Sequence, residues 1–210
     1  MRIGLDFDNT LANYETLFSD VAQEMGWLTN RADSSGPWTK NRVREHIRAL
    51  SDGEIKWQTL QASVYGPRMN EARLMDGVSD FLTTAASRQA ELFIVSHKTQ
   101  FARQDTSHHH NLHKAAQSWM EQQGFFSVEG FGLLPEQLFF TATRSEKVAR
   151  IAQLKCDVFI DDLPEVFNEP GFPAATHKIL FSPHTPPDKK GAYPSFNHWR
   201  AIEKELFALD

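Results

Sequence analysis

The sequence predicts an α/β fold: a parallel sheet of about five strands, helices between them, and a small helical body inserted early in the chain. Three observations carry this. Short apolar runs at residues 3–5, 92–95 and 158–160 stop abruptly at polar or acidic residues, as buried parallel strands do when ligands bind at their carboxyl ends. Stretches of helical periodicity separate the runs. About 80 residues lie between the first run and the second, where a simple crossover needs roughly a dozen or more.

Composition bounds the rest. With 210 residues, 40% of them apolar, there is room for one α/β domain, an inserted subdomain and a sizeable core. A net charge of −5 lacks the clustered basic excess that nucleic acid or a membrane surface requires, so neither is expected as a partner. A small anionic substrate needs only local positive charge. Cys156 is the sole cysteine, which excludes an intrachain disulfide and a cysteine zinc cluster and points to a small buried residue. The first strand begins at residue 2, leaving no space for a signal peptide, and no apolar run approaches the roughly 18 residues of a membrane span; a cytoplasmic location is expected.

Taken in order, the first element is the run Ile3-Gly4-Leu5, which ends in Asp6 and Asp8. In an extended chain these two alternate residues face one site while Phe7 packs the other way. Neighbouring carboxylates stay ionised only when a cation or proton lies between them, which points to a hard, oxygen-loving ion such as Mg²⁺ and hence to phosphate chemistry. Taken alone, an acidic loop opening a helix, with Asp8 or Asn9 as N-cap, gives the same residues. A helix follows over 14–25, with Leu17, Val21 and Met25 on one face and Gly26 as its stop. Residues 29–38 read as a loop, 41–50 as a helix that carries Arg44 and Arg48 away from its apolar face, and 52–64 as another, broken by Tyr65-Gly66-Pro67. Between residues 31 and 73 eight Lys or Arg face five Asp or Glu, so the insertion is near +3 and the remainder near −8. Such a contrast suits a lid over a phosphorylated ligand, and it also suits ordinary solvated helix faces. Trp27, Trp38 and Trp57 are candidates for a pocket wall or for the insertion's own core.

A helix over 77–87 leads to the second strand, 91–95, which ends at Ser96. Residues 97–114 hold five of the nine histidines, at 97, 108, 109, 110 and 113, with Lys98, Arg103 and Lys114. His109 and His113 have the spacing of two zinc ligands, but no carboxylate or cysteine stands nearby at ligand spacing. A helix over 111–123 ends at Gly124, and the third strand occupies 137–141. The next helix, capped by Thr143 or Ser145, runs to about 154 with Lys147 in its first turn, where the helix dipole prefers acids. The fourth strand closes on Asp161-Asp162, ligands or else an Asx-turn before Pro164. A fifth strand at 178–181, a proline-rich loop and a closing helix at 196–209 complete the chain.

Asp6-Phe7-Asp8-Asn9-Thr10-Leu11 after a hydrophobic strand resembles the first motif, DxDx(T/V), of the haloacid dehalogenase (HAD) superfamily. Ser96 at the end of the second strand, Lys147 at a helix start and the doublet Asp161-Asp162 are similar to its second, third and fourth motifs, in the same order. The resemblance implies a Rossmann-like sheet of strand order 3-2-1-4-5, a core of residues 1–18 and 76–210, and a helical cap of residues 19–75. It implies Asp6 as nucleophile, Asp8 as acid and base, Ser96 and Lys147 as phosphoryl contacts, and Asp6, Asp8, Asp161 and Asp162 around Mg²⁺. Asn9, Thr10, His97, Lys98, Arg44 and Arg48 are candidate substrate contacts, and Lys98 and Arg144 could take the place of Lys147. The implied activity is a Mg²⁺-dependent phosphomonoesterase acting on a small phosphorylated metabolite, of the sugar phosphate or nucleotide class. A phosphomutase or phosphotransferase of the same superfamily, or a noncatalytic sensor of a phosphorylated ligand, are the alternatives.

Overall fold

A computed structural model describes residues 1–29, 36–105 and 109–207, with the backbone of residues 32 and 33. Outside the described residues lie Arg31 and the Asp33 side chain, both counted in the insertion's charge, His108 of the histidine segment, and Leu209, the expected end of the closing helix.

The elements in chain order are β1 (Arg2–Leu5), β2 (Ala12–Asn13), α1 (Glu15–Glu24), β3 (Ala32–Asp33), β4 (Gly36–Pro37), α2 (Lys40–Arg48), α3 (Gly53–Tyr65), β5 (Arg73–Leu74), α4 (Val78–Ser87) and β6 (Glu91–His97). They continue with α5 (Leu112–Gln122), β7 (Leu138–Thr141), α6 (Arg144–Gln153), β8 (Val158–Asp161), α7 (Pro164–Phe167), β9 (His177–Phe181), β10 (Ser195–Phe196) and α8 (Trp199–Phe207). Each periodic helix of the sequence is present to within three residues at its N-terminus, and Thr143, not Ser145, caps α6 by accepting a hydrogen bond from the Glu146 amide at 3.1 Å.

Six strands form a parallel sheet in the order β10-β9-β8-β1-β6-β7. Five of them stand in the expected order, 3-2-1-4-5; the sixth, β10, corrects the count. It is two residues long, too short for any periodicity, and its Phe196 was expected in the closing helix. What makes it a strand is nonlocal: Ser182 N donates to Phe196 O at 2.8 Å and Leu180 N to Pro194 O at 3.0 Å, along the edge of β9. At the sheet's centre, β1 and β8 are covered on both faces, with Ile3, Leu5, Phe159 and Ile160 fully buried. Gly4 is required there, because a Cβ at that position would overlap the Phe159 ring.

Backbone proximity divides the chain into two compact units, 1–12 with 74–98 and 121–210, and 13–73 with 99–120. The first holds the six-stranded sheet, α4, α6, α7 and α8. Its core includes Phe81 packed on Trp199, ring centroids 4.8 Å apart. The second holds α1, α2, α3 and α5 up to Met120. Phe18 stacks on Trp57 at 5.3 Å and Tyr14 meets Tyr65 edge-on at 5.0 Å, so Trp57 is core, whereas Trp38 lies under the Arg42 guanidinium at 4.8 Å. The insertion expected at 19–75 differs from this unit at both ends, and the unit also takes in 99–120. Those residues join it through contacts that local pattern does not reveal: Trp119 Nε1 donates to Ala72 O at 2.9 Å and Gln104 Nε2 to Gln58 Oε1 at 2.7 Å.

Candidate active site

The register of the sheet builds the site. Leu5 lies beside Ile94 on one side and Ile160 on the other, and the Asp6 amide donates to Ile160 O at 2.9 Å, carrying the pairing one residue past β1. Asp6 and Asp161 are thereby set side by side at the carboxyl edge, where the strand order departs in both directions from β1. Lys147, in the first turn of α6, reaches between them, with Nζ 2.5 Å from Asp6 Oδ1 and 2.6 Å from Asp161 Oδ2. All three are buried.

The second oxygen of each aspartate also accepts a hydrogen bond. Thr10 Oγ1 donates to Asp6 Oδ2 at 3.3 Å, and the Leu163 amide donates to Asp161 Oδ1 at 2.9 Å. The second contact is the Asx-turn the sequence offered as an alternative; turn and site use the same aspartate. Thr10, expected to touch substrate, is fully buried against Asp6 instead. The loop after Asp8 turns tightly because Asn9 adopts a left-handed φ of 62°, which asparagine tolerates, while Phe7 O accepts from both the Leu11 and Ala12 amides.

The charge at this point is unbalanced. Asp6 is pushed from 3.8 up to about 7, first by burial, with Lys147 pulling it back and Asp161 raising it further. For Lys147, burial works against the ammonium, but Asp161 and Asp6 outweigh it and the net shift is upward. Asp6, Asp161 and Asp162 each offer a carboxylate oxygen, all within 4.8 Å of one another. Three carboxylates with oxygen donors only, against one ammonium, fit a hard divalent cation such as Mg²⁺. Asp8, expected as the fourth ligand, does not join this group. Its carboxylate is held by Lys98, whose Nζ lies 3.0 Å from Oδ1 and 2.8 Å from Oδ2. That pairing also corrects Lys98 as a stand-in for Lys147.

Ser96 Oγ is buried and has no hydrogen-bond partner among the described residues. One residue on, alternation turns His97 away, with its Nε2 3.0 Å from Ala142 O. Arg144 is paired with Glu169 at 3.7 Å and does not meet Asp6. Arg44 and Arg48 belong to the second unit, where Arg48 pairs with Glu54 at 2.7 Å. His109 and His110 are exposed, their amides donating to Asp105, and no histidine enters a metal-ligand group among the described residues. Sequence reading missed the pairing of Lys98 with Asp8, although the i, i+2 spacing put Lys98 on the same face of an extended chain as Ser96.

No protein-family model matches the chain, and no curated protein matches it by sequence. Solved structures do. A HAD family hydrolase from Deinococcus radiodurans, with bound phosphate and sodium, aligns over 99% of this chain and 94% of its own at a TM-score of 0.58 and 14% identity. The chain has a HAD-like fold. A HAD-superfamily hydrolase from Ehrlichia chaffeensis aligns over 99% and 96% at a TM-score of 0.56 and 15% identity. A phosphoserine phosphohydrolase-like protein from Francisella tularensis aligns over 98% and 99% at 0.53 and 13%. In this HAD-like sheet, all four sequence motifs fall at strand ends or a helix start of the first unit. No described helix is long and apolar enough to cross a membrane.

Proposed function

We propose that the chain is a phosphomonoesterase for a small phosphorylated metabolite, working through an aspartyl-phosphate on Asp6. The observation that carries this reading is the buried Asp6–Lys147–Asp161 cluster at the carboxyl edge of the sheet's switch point, with Asp162 beside it. A carboxylate held there is a nucleophile for phosphorus, and the Lys147 ammonium beside it supplies part of the positive charge that phosphoryl transfer needs, since charge stabilisation does most of the catalytic work.

In the first step an Asp6 oxygen bonds to phosphorus as the ester P–O bond breaks, and the leaving oxygen takes a proton from Asp8. In the second, Asp8 takes a proton from the water that attacks the acyl-phosphate, returning Asp6 and releasing inorganic phosphate. Lys147 holds the Asp6 carboxylate in place and offsets charge on the phosphoryl oxygens. Ser96 Oγ, without a hydrogen-bond partner among the described residues, would donate to one of them. Asp6, Asp161 and Asp162 would hold Mg²⁺, which supplies electrophilic neutralisation of phosphate charge when bound. Arg44 and Arg48 are proposed as anion contacts for the substrate.

The test is phosphate release from a panel of phosphorylated metabolites, with and without Mg²⁺, with Asp6→Asn beside the wild type. Release that requires both Mg²⁺ and Asp6 is expected. Release by Asp6→Asn at the wild-type rate would defeat the covalent mechanism, and no release from any compound while Mg²⁺ still binds would favour a phosphorylated-ligand sensor.

A further inference from the structure

We infer that Lys98 is a positioning residue for proton transfer to the leaving group, holding the Asp8 carboxylate in the orientation that step requires. The inference rests on the phosphomonoesterase reading and extends it to a residue outside the four motifs.

A lysine ammonium is strongly hydrated and is seldom enclosed without a partner. Lys98 is 5% exposed, yet it stands at the open carboxyl end of β6, two residues past Ser96. Its backbone is pinned, the amide donating to Thr141 O at 3.0 Å, and its side chain crosses to the loop after β1, Nζ passing 5.7 Å from the centroid of the Phe7 ring. There it meets both oxygens of Asp8, at 2.8 and 3.0 Å. The two acids of the first motif are thus served by different lysines: Asp6 by Lys147, Asp8 by Lys98.

The division matters because the two carboxylates are restrained differently. Asp6 is enclosed by Thr10, Lys147 and the sheet. Asp8 has a side chain 20% exposed and is followed at once by the left-handed turn at Asn9. A carboxyl that donates to a leaving oxygen must lie within about 2.6–3.2 Å of it, so an unrestrained rotamer costs rate directly. A lysine bound to both oxygens fixes the plane of the carboxylate from the protein side. As the ester P–O bond breaks, the proton passes from the Asp8 carboxyl to the departing oxygen, and the Asp8 carboxylate that results faces the Lys98 ammonium.

A clamp that merely joined the ends of β1 and β6 would act on every substrate alike. Help to a leaving group depends on how poor that group is, because a nitrophenolate departs without a proton and an alkoxide does not. The experiment therefore measures kcat/KM on the best alkyl ester of the phosphate-release panel and on 4-nitrophenyl phosphate, for wild type, Lys98→Met, Asp8→Asn and the double variant. Lys98→Met is expected to lose about 100-fold on the alkyl ester and less than about fivefold on the aryl ester. Asp8→Asn should show the same asymmetry, and the double variant should be no worse than Asp8→Asn alone. Lys98→Gln, which keeps a shorter donor without the charge, should fall between; should Lys98→Met melt before assay temperature, Lys98→Gln carries the comparison. An equal loss on both esters, no loss on either, or losses that multiply in the double variant would overturn the inference while leaving the phosphatase reading intact. A wild type that releases phosphate from neither ester would sink the phosphatase reading and this inference with it.

Discussion

Asp6 and Lys147 illustrate how much one contact decides at the scale of a residue. Burying two carboxylates next to one ammonium leaves Asp6 with a folded-state pKa of about 7 against 3.8 for the free group. The folded state then holds that proton to higher pH than the unfolded chain does. Its contribution to stability is fully present below about pH 4 and is lost as pH rises through about 7. In metal-free buffer the melting temperature should fall between pH 5 and 8, and Asp6→Asn should flatten that slope; scanning calorimetry of both proteins checks it. Lys147→Met, which leaves the buried acids unpaired, should cost about 3–5 kcal/mol at neutral pH in metal-free denaturant titrations and abolish phosphate release. Cys156 is the opposite case, a residue without chemistry: burial first, and Asp157 with it, push its thiol up to about 11 despite Arg2. Its labelling by a thiol reagent at pH 8 should be slow in the native protein and fast in denaturant, so that the rate reports unfolding.

Elements follow their local pattern wherever that pattern is long enough to register. The helices α1 to α6 and the strands β1, β6, β7, β8 and β9 are all legible, the helices because apolar spacing repeats along them and the strands because each is a short apolar run with a stop signal at its end. The pair β3 and β4 and the strand β10 are not legible, since two residues cannot display a period and β10 is set by its pairing with β9; the short α7 shows only the proline at its start. At this scale Gly4 is the sharpest test. Gly4→Ala forces a methyl group into the Phe159 ring at the centre of the sheet, and about 1–3 kcal/mol of stability should be lost in urea titrations. By contrast Arg68, which pairs with Glu24 and Glu71 on an exposed face of the second unit, should tolerate alanine with little change in melting temperature.

For the whole molecule the question is how distant segments supply one site. Asp6, Ser96, Lys147 and Asp161 come from four separate stretches spread over about 155 residues, and the first unit alone brings them to one edge of its sheet. A cation bound only by the folded chain stabilises it by mass action, about 2.7 kcal/mol at a concentration one hundred times its Kd. Mg²⁺ should therefore raise the melting temperature of the wild type, and Asp161→Asn should lose most of that rise; a rise of equal size in the variant would place the ion elsewhere.

What the sequence determined by itself was the list of parts: an acidic strand end, a serine after a second strand, a lysine opening a helix and an acidic doublet. These were readable because strand ends and helix starts are set by residues close together in the chain. The tertiary structure alone decided the pairing. It chose which lysine meets which aspartate, separated Asp8 from the acidic cluster, turned Thr10 inward onto Asp6 and His97 outward, and joined residues 99–120 to the helical unit. Most of those outcomes depend on sheet register and on contacts between residues far apart in sequence, where a shift of one residue would turn every side chain of a strand to the other face.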